Sequence, residues 1–295
     1  IRFCTYFCNS FKGVKNIEIT RIIDVAKNDV ARFYLWANGH FGSEVSFNKC
    51  MGALKAFFKF LIDIEEINMK NPFESYTSKK KIKKNIETLT KDEFENIISA
   101  IDTANPIVKL GGKGEKKNLY RFYLKDGFKL FLLTGGRREE VVDLKWSDIL
   151  ITIEGTKFFK IDNKKVNRQK SSDAYVKYLP INQDLFELLI KLGYNEKKTT
   201  SDFILYPERK VKSITIMNDL SKAFTHYKKE AGITKSISLK NLRKTYITWL
   251  RLAMGKDTGL LTSHGGEQVL LDHYIDSTIL NAVEKASLNF KVYEV

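Results

Sequence analysis

Thr134-Gly135-Gly136-Arg137-Arg138-Glu139-Glu140 is the stretch whose surroundings fix how the chain is organised. An apolar helical pattern from Phe122 to Leu133 leads into it, and a further helical turn with Val141 and Leu144 follows. Two glycines at a helix junction let the backbone approach a ligand closely, because no Cβ stands in the way. Arg137 then lies beside the start of the next helix, whose unpaired N–H groups also favour an anion. Glu140, three residues on, can hold a guanidinium in place. A charge cluster that merely caps a helix would read the same way, so the rest of the chain has to decide.

Working towards the N-terminus, Thr90 and Glu93 form a T-x-x-E capping box ahead of Phe94, Ile97, Ile98 and Ile101, which places a domain start near Thr90. The glycine-rich run from Gly111 to Asn118 lacks the GK[ST] ending of a phosphate-binding loop and is predicted to be a surface loop. Earlier still, Ile19, Ile22, Ile23, Ala26, Val30 and Phe33 recur at helical spacing, and Phe47, Met51, Leu54, Phe58 and Leu61 share a second helical face. Asn38-Gly39 and Gly42 break the chain between them. Residues 1–78 therefore read as a small helical bundle. Pro72 then opposes helix, and Lys79, Lys80, Lys81, Lys83 and Lys84 make a basic run within an expected linker over 79–89. A solvated linker has this composition, and so does a segment that crosses DNA; the five lysines are the candidate DNA contacts.

Towards the C-terminus the texture changes at Asp148. DILITIE, a Gly155-Thr156 turn and KFFKIDN predict a hairpin, with AYVKYLPI as a third strand that ends before Pro180. Helices are expected again at Leu185–Leu192, Ile214–Ala231 and Leu239 to about Ala253, and Ile279, Leu280, Val283 and Leu288 form a last apolar stripe. The fold class is mainly α with a small antiparallel β-sheet. The second domain spans 90–274, and the stripe lies in a tail over 275–295 that, as an intramolecular helix, would close its own core.

Lys+Arg number 50 against 35 Asp+Glu, a formal charge of +15. That surplus draws the chain to polyanions, and nucleic acid is the foremost of these because phosphate neutralisation releases counterions. Cys4, Cys8 and Cys50 are sparse and odd in number, which argues against a disulfide framework or a four-ligand zinc site and suits a reducing cytoplasm. No apolar run approaches the ~20 residues of a membrane span, and IRFCTYF lacks a signal peptide's arrangement. A chain that opens on Ile1 is expected to have lost an upstream segment.

Breaking a DNA phosphodiester without a metal requires fixed cations around the phosphorus, a nucleophile and an acid for the leaving oxygen. Arginine suits the first task, since its planar fork makes paired bonds to two oxygens. Besides Arg137, the chain offers Ser238-Leu239-Lys240-Asn241-Leu242-Arg243. Ser238 is a fair N-cap, which puts Lys240 and Arg243 three apart in the first turns. Two cations there oppose the helix macrodipole, a penalty that a bound phosphate would reverse. Leu242, Tyr246, Trp249 and Leu250 are expected to bury the other face. A third piece is Ser263-His264-Gly265-Gly266 followed by His273-Tyr274. A phenol titrates near ~10, so an attacking Tyr274 needs cationic neighbours or a base.

The order TGxRxxE, a lysine near a β-turn, KxxR, then a histidine and a following HY resembles the tyrosine recombinase (phage integrase) family over nearly the whole chain. The resemblance implies a helical core-binding domain joined to a mixed α/β catalytic domain, with the 275–295 tail docking on a neighbouring protomer as the alternative to closing its own core. It implies Arg137 and Arg243 as a clamp on the scissile phosphate, Glu140 as the acid supporting that clamp and His264 as a phosphate-facing histidine. Tyr274 is then the nucleophile of a 3′-phosphotyrosine intermediate. The family's general-acid lysine maps to Lys170, with Lys165 and Lys164 as rivals because the turn is longer than usual. Neither ATP, metal nor another cofactor is implied.

One position departs from the family pattern. Lys240 stands where HxxR has histidine; an ammonium can donate to phosphate but is a poor proton acceptor near neutral pH. His273, beside Tyr274, is either a substitute base or a packing or surface residue. Two other functions share this constellation, a type IB topoisomerase-like relaxation and a DNA-binding protein of the same fold with weakened catalysis. The expected partners are double-stranded DNA, further copies of the chain as a tetramer on DNA, and accessory DNA-bending proteins. The expected setting is a bacterial cytoplasm, at the nucleoid, with no membrane.

Overall fold

Phe7, Phe33, Phe47, Phe58 and Phe73 crowd together at the centre of the first of two compact units, Ile1–Asn85 and Ile86–Val295. The structure is a computed structural model that describes residues 2–80, 87–109, 114–153, 155–171 and 175–254. Helices α1 (Arg2–Asn9), α2 (Lys27–His40) and α3 (Glu44–Asp63) build this unit. Phe7 meets Phe33 and Phe58 edge to face, with centroids 5.1 and 6.2 Å apart, as the ring quadrupoles prefer. Phe47, Met51, Leu54 and Phe58 of α3 are buried as their spacing predicts. The pattern that starts at Ile19 does not give a helix from there: Ile19 and Ile23 are exposed, and α2 starts only at Lys27. The cause is Asp29, whose buried carboxylate turns back to accept from the Ala26 N–H at 3.0 Å and from Lys15 Nζ at 2.5 Å. This closes the N-terminus of the helix and directs the preceding chain away.

The end of the unit is tied down by one side chain. Asn48 Nδ2 donates to the Lys79 carbonyl at 2.8 Å, while its Oδ1 accepts from the Lys79 N–H at 2.9 Å and the Tyr76 hydroxyl at 3.0 Å. The expected linker over 79–89 thus has its first residue held in the first unit. At its far end, Leu89 is buried in the core of the second unit. Lys81, Lys83 and Lys84 lie outside the described residues.

In the second unit, α4 (Lys91–Thr103) opens with the predicted capping box: Thr90 Oγ1 accepts from the Glu93 N–H at 3.2 Å and Glu93 Oε2 from the Thr90 N–H at 2.8 Å. The predicted surface loop at Gly111–Asn118 is in part a strand, since β1 (Ile107–Lys109) pairs antiparallel with β2 (Lys116–Asn118). Next come α5 (Leu124–Thr134), whose Phe128, Leu130, Phe131, Leu132 and Leu133 are all buried, and the short α6 (Arg138–Val142). A helix apolar on nearly every side must be central, and α5 packs against neighbours that include the later helices.

The predicted sheet is present. Strands β3 (Ile149–Ile151), β4 (Lys157–Asp162) and β5 (Val176–Pro180) lie in the order β3-β4-β5, with Phe159 paired to Ile149 on one side and Leu179 on the other. Between β4 and β5 the chain forms not a plain turn but a helix, α7 (Lys164–Lys170). Buried Val166 anchors it, and Asn167 clips it to the start of β5 by accepting from the Tyr175 N–H at 3.1 Å. Helices α8 (Gln183–Lys191), α9 (Tyr194–Lys197), α10 (Ser213–Glu230) and α11 (Asn241–Met254) complete the described unit. Among the described residues no helix is long and apolar enough to cross a membrane.

Candidate active site

The TGGRREE segment is shaped by contacts that tolerate only glycine at its centre. Thr134 Oγ1 donates to the Leu130 carbonyl at 2.5 Å and accepts from the Gly136 N–H at 3.2 Å, which fixes the exit from α5. Gly135 has φ 56° in the left-handed region, and a Cβ on it would meet the Tyr246 ring at 2.3 Å. The helix that bears Arg243 is thereby allowed to lie directly on this turn. Arg243 Nη1 donates to the Gly135 carbonyl at 2.5 Å.

Arg137 is the residue before α6, and Glu140 reaches back to it in two ways. Glu140 Oε2 accepts from the Arg137 N–H at 2.8 Å, and Glu140 Oε1 accepts from Arg137 Nη1 at 2.8 Å. Asn163, at the end of β4, takes a further bond from Nη1 at 3.2 Å. The Glu140 side chain is only 2% exposed whereas that of Arg137 is 35% exposed. The carboxylate is therefore an internal brace, and the guanidinium still faces outward.

A residue that motif reading passed over completes the network. Lys177 of β5 is buried, and its Nζ donates to Glu140 Oε2 at 2.9 Å. Burial alone would raise the Glu140 pKa, but the Lys177 charge and the bonds from Arg137 and Lys177 bring it down to about 2. Burial pushes Lys177 down to about 8, with Arg243 and Arg137 acting in the same direction and Glu140 against them. Burial also lowers Arg243, opposed by Glu140 and reinforced by Arg137. Arg137 and Lys177 thus bond one carboxylate, and Arg243, bonded to the Gly135 carbonyl, lies close enough to feel its charge. The available sequence signal was weak: a polar residue in AYVKYLPI at a position where the strand's alternation points it inward.

The other expected site residues fall as follows. Lys170, the expected general acid, closes α7 and donates to the Tyr175 hydroxyl at 3.1 Å. Lys164, a rival of Lys170 as general acid, is paired with Asp143, which also binds Arg209 and Ser213; the Lys165 side chain lies outside the described residues. Lys240 is exposed in the turn before α11. Ser238 is not the N-cap: α11 starts at Asn241, whose Oδ1 accepts from the Ser238 N–H at 3.1 Å and its hydroxyl at 3.0 Å. Leu242 and Tyr246 are buried beneath Arg243 as expected, and Trp249 donates to the Leu89 carbonyl at 3.1 Å. Lys79 is folded back over the Phe47 ring at 3.9 Å and bonded to Asn38, while Lys80 is exposed. His264, His273, Tyr274 and the 275–295 tail lie outside the described residues.

The model of the phage integrase family matches residues 87–263. The chain belongs to the phage integrase family. Its activity is accordingly site-specific recombination, the breaking and joining of DNA strands. The matched residues hold Arg137, Glu140, Lys177 and Arg243; His264 and Tyr274 follow them. The fold is similar to that of a lambda integrase tetramer bound to a Holliday junction, at 17% identity and a TM-score of 0.64 over 90% of this chain and 71% of that one. A lambda integrase dimer bound to a COC′ core site matches at 17% identity and a TM-score of 0.60, over 89% of this chain and 85% of the other. The XerH site-specific recombinase bound to its difH substrate matches at 18% identity and a TM-score of 0.55, over 96% and 76%. These lambda integrase structures and the XerH structure share the fold of the chain.

Proposed function

We propose that this integrase cuts DNA by attack of the Tyr274 phenolic oxygen on a phosphorus gripped by Arg137 and Arg243. The observation that carries the reading is the convergence of these two guanidinium groups, from segments far apart in sequence, on the Glu140 carboxylate and the Gly135 carbonyl. Charge develops on the equatorial oxygens as the phosphorus becomes five-coordinate, and preorganised arginines stabilise it without reorganising. The Tyr274 O–P bond forms as the bond from phosphorus to the 5′ oxygen breaks, leaving a 3′-phosphotyrosine. The leaving oxygen takes a proton from a lysine, for which Lys170 is the candidate, and emerges as a 5′-hydroxyl. Attack by a 5′-hydroxyl from another strand reverses these steps and restores a phosphodiester, so the covalent link conserves the bond energy. His264 and Lys240 donate to the phosphate, and an ammonium at 240 leaves the Tyr274 proton to another acceptor.

The reaction requires two duplexes, and one structural neighbour is described as a tetramer on a Holliday junction. We assign this chain the same mode of assembly, with residues 1–78 as a core-binding domain, 90–274 as the catalytic domain and the 275–295 tail docking between protomers. The +15 charge supports double-stranded DNA as partner. Accessory DNA-bending proteins and action at a bacterial nucleoid extend the same reading.

The deciding experiment uses a nicked suicide substrate, which traps the covalent intermediate, followed by mapping of the modified peptide. The link is expected on Tyr274, and Tyr274→Phe should bind DNA but form no adduct. An adduct on another residue would overturn the assignment.

A further inference from the structure

We infer that Lys177 is a positioning residue of the cleavage site, which holds the Glu140 carboxylate charged and fixed so that Glu140 in turn aims the Arg137 guanidinium. The inference rests on the reading that Arg137 meets the scissile phosphate. Its basis is the division of labour between the two carboxylate oxygens. Glu140 Oε1 is occupied by Arg137 Nη1, whereas Oε2 is shared between the Arg137 backbone N–H and Lys177 Nζ. Lys177 is thus the partner that comes from outside the turn and locks the carboxylate across the gap between β5 and α6. Its side chain is 3% exposed, which leaves the ammonium covered, so its influence passes through Glu140.

Stability alone gives no reason for a lysine here. A buried ion pair is often no better than well-packed apolar residues of the same volume, because both charges must be stripped of water. Neighbouring Leu179 of the same strand and Val141 of α6 are fully apolar and buried, so methionine would suit the surroundings. An apolar residue would supply neither the charge that favours ionised Glu140 nor the bond that fixes Oε2. The groups that face Lys177 are Glu140 and Arg137 around α6 and Arg243 from α11. With the ammonium present, two cations bond the carboxylate and Arg243 stands near it, so the site retains a positive excess for an arriving phosphate. Without it, a buried carboxylate braced by one arginine takes up a proton more readily, and a neutral acid holds the guanidinium poorly.

The test compares Lys177→Met, Arg137→Ala and their combination in the full chain, by single-turnover cleavage of a suicide substrate at saturating DNA. Lys177→Met is expected to slow cleavage at least ~10-fold with DNA affinity unchanged, since small misplacements of a positioned group cost this much or more. The acid limb of its pH–rate profile should move up towards the ordinary carboxylate range. In the Arg137→Ala background, Lys177→Met should add nothing. If Lys177→Met does not fold, Lys177→Met/Glu140→Gln removes both charges together and should match Glu140→Gln alone in rate. Wild-type cleavage by Lys177→Met, or a loss that persists in full without Arg137, would overturn the inference. Should Arg137→Ala itself cleave at the wild-type rate, the phosphate clamp fails and the role of Lys177 falls with it. Slow Arg137→Ala beside fast Lys177→Met removes Lys177 alone.

Discussion

Arg243 donates from Nη1 to the carbonyl of Gly135 at 2.5 Å, across 108 residues of sequence. That carbonyl points at α11 because Gly135 adopts φ 56° and has no Cβ to meet the Tyr246 ring. Gly135→Ala therefore carries two penalties, a left-handed backbone for a side-chain-bearing residue of about 1–2 kcal/mol and overpacking against a buried ring of about 1–3 kcal/mol. A loss of about 2–5 kcal/mol is expected in urea unfolding, on the sum of those two ranges. Cleavage should fall more than stability explains, because Arg243 moves with the turn. Unchanged unfolding would show that the Tyr246 ring yields freely.

Removing either arginine tests the clamp directly. Arg137→Ala and Arg243→Ala should each lower single-turnover cleavage by at least ~10²-fold, as loss of one preorganised donor does. Their stabilities should diverge. Arg137 is partly exposed and Arg243 lies over buried Leu242 and Tyr246, so only Arg243→Ala should lower the melting temperature clearly. A cleavage loss below tenfold in either variant would count against the pair.

How far the sequence discloses this site depends on whether a contact is local. The Thr90–Glu93 box, the α5 core and the β3-β4-β5 order follow from short-range pattern, and each is found in the structure. Arg137, Glu140 and Arg243 were legible as motif residues, and the first two also as neighbours in sequence. Lys177 was not, because its partner Glu140 lies 37 residues away and nothing local marks an inward lysine as paired. Helix α7 escapes the pattern for a related reason: KKVNRQK has no apolar stripe, and it is held by buried Val166, the Asn167 clip to Tyr175 and the ion pairs of Lys164 with Asp143 and Arg168 with Glu139. The apolar run from Ile19 misled in the opposite sense, since its period was helical while Asp29 and Lys15 fixed a later start.

Glu140 gives the stability a defined acid dependence. Its pKa in the folded protein, about 2, lies below the ordinary value of 4.5. A depressed carboxyl stabilises the fold fully above its unfolded pKa and loses that contribution as pH falls towards the folded one. Between about pH 4.5 and 2 the wild type should therefore lose on the order of 3 kcal/mol more than Glu140→Gln, each tenfold difference in proton affinity being worth ~1.4 kcal/mol. Urea midpoints measured for both across that window check it. Parallel curves would mean that Glu140 is not held ionised by Lys177 and Arg137.

The basic run at the end of the first unit makes the last prediction. Each lysine that neutralises a phosphate contributes about 0.9 to the slope of log affinity against log salt. Lys79 is engaged internally, over Phe47 and with Asn38, while its backbone is clamped by Asn48. Lys80 is exposed. Lys79→Met should leave the salt slope for DNA binding unchanged and lower the stability of the first unit, by roughly the ~0.5–2 kcal/mol of a cation–π contact. Lys80→Met should do the reverse, reducing the slope by up to about 0.9 without affecting unfolding. A reduced slope in Lys79→Met would mean that the ammonium leaves the aromatic face to meet DNA.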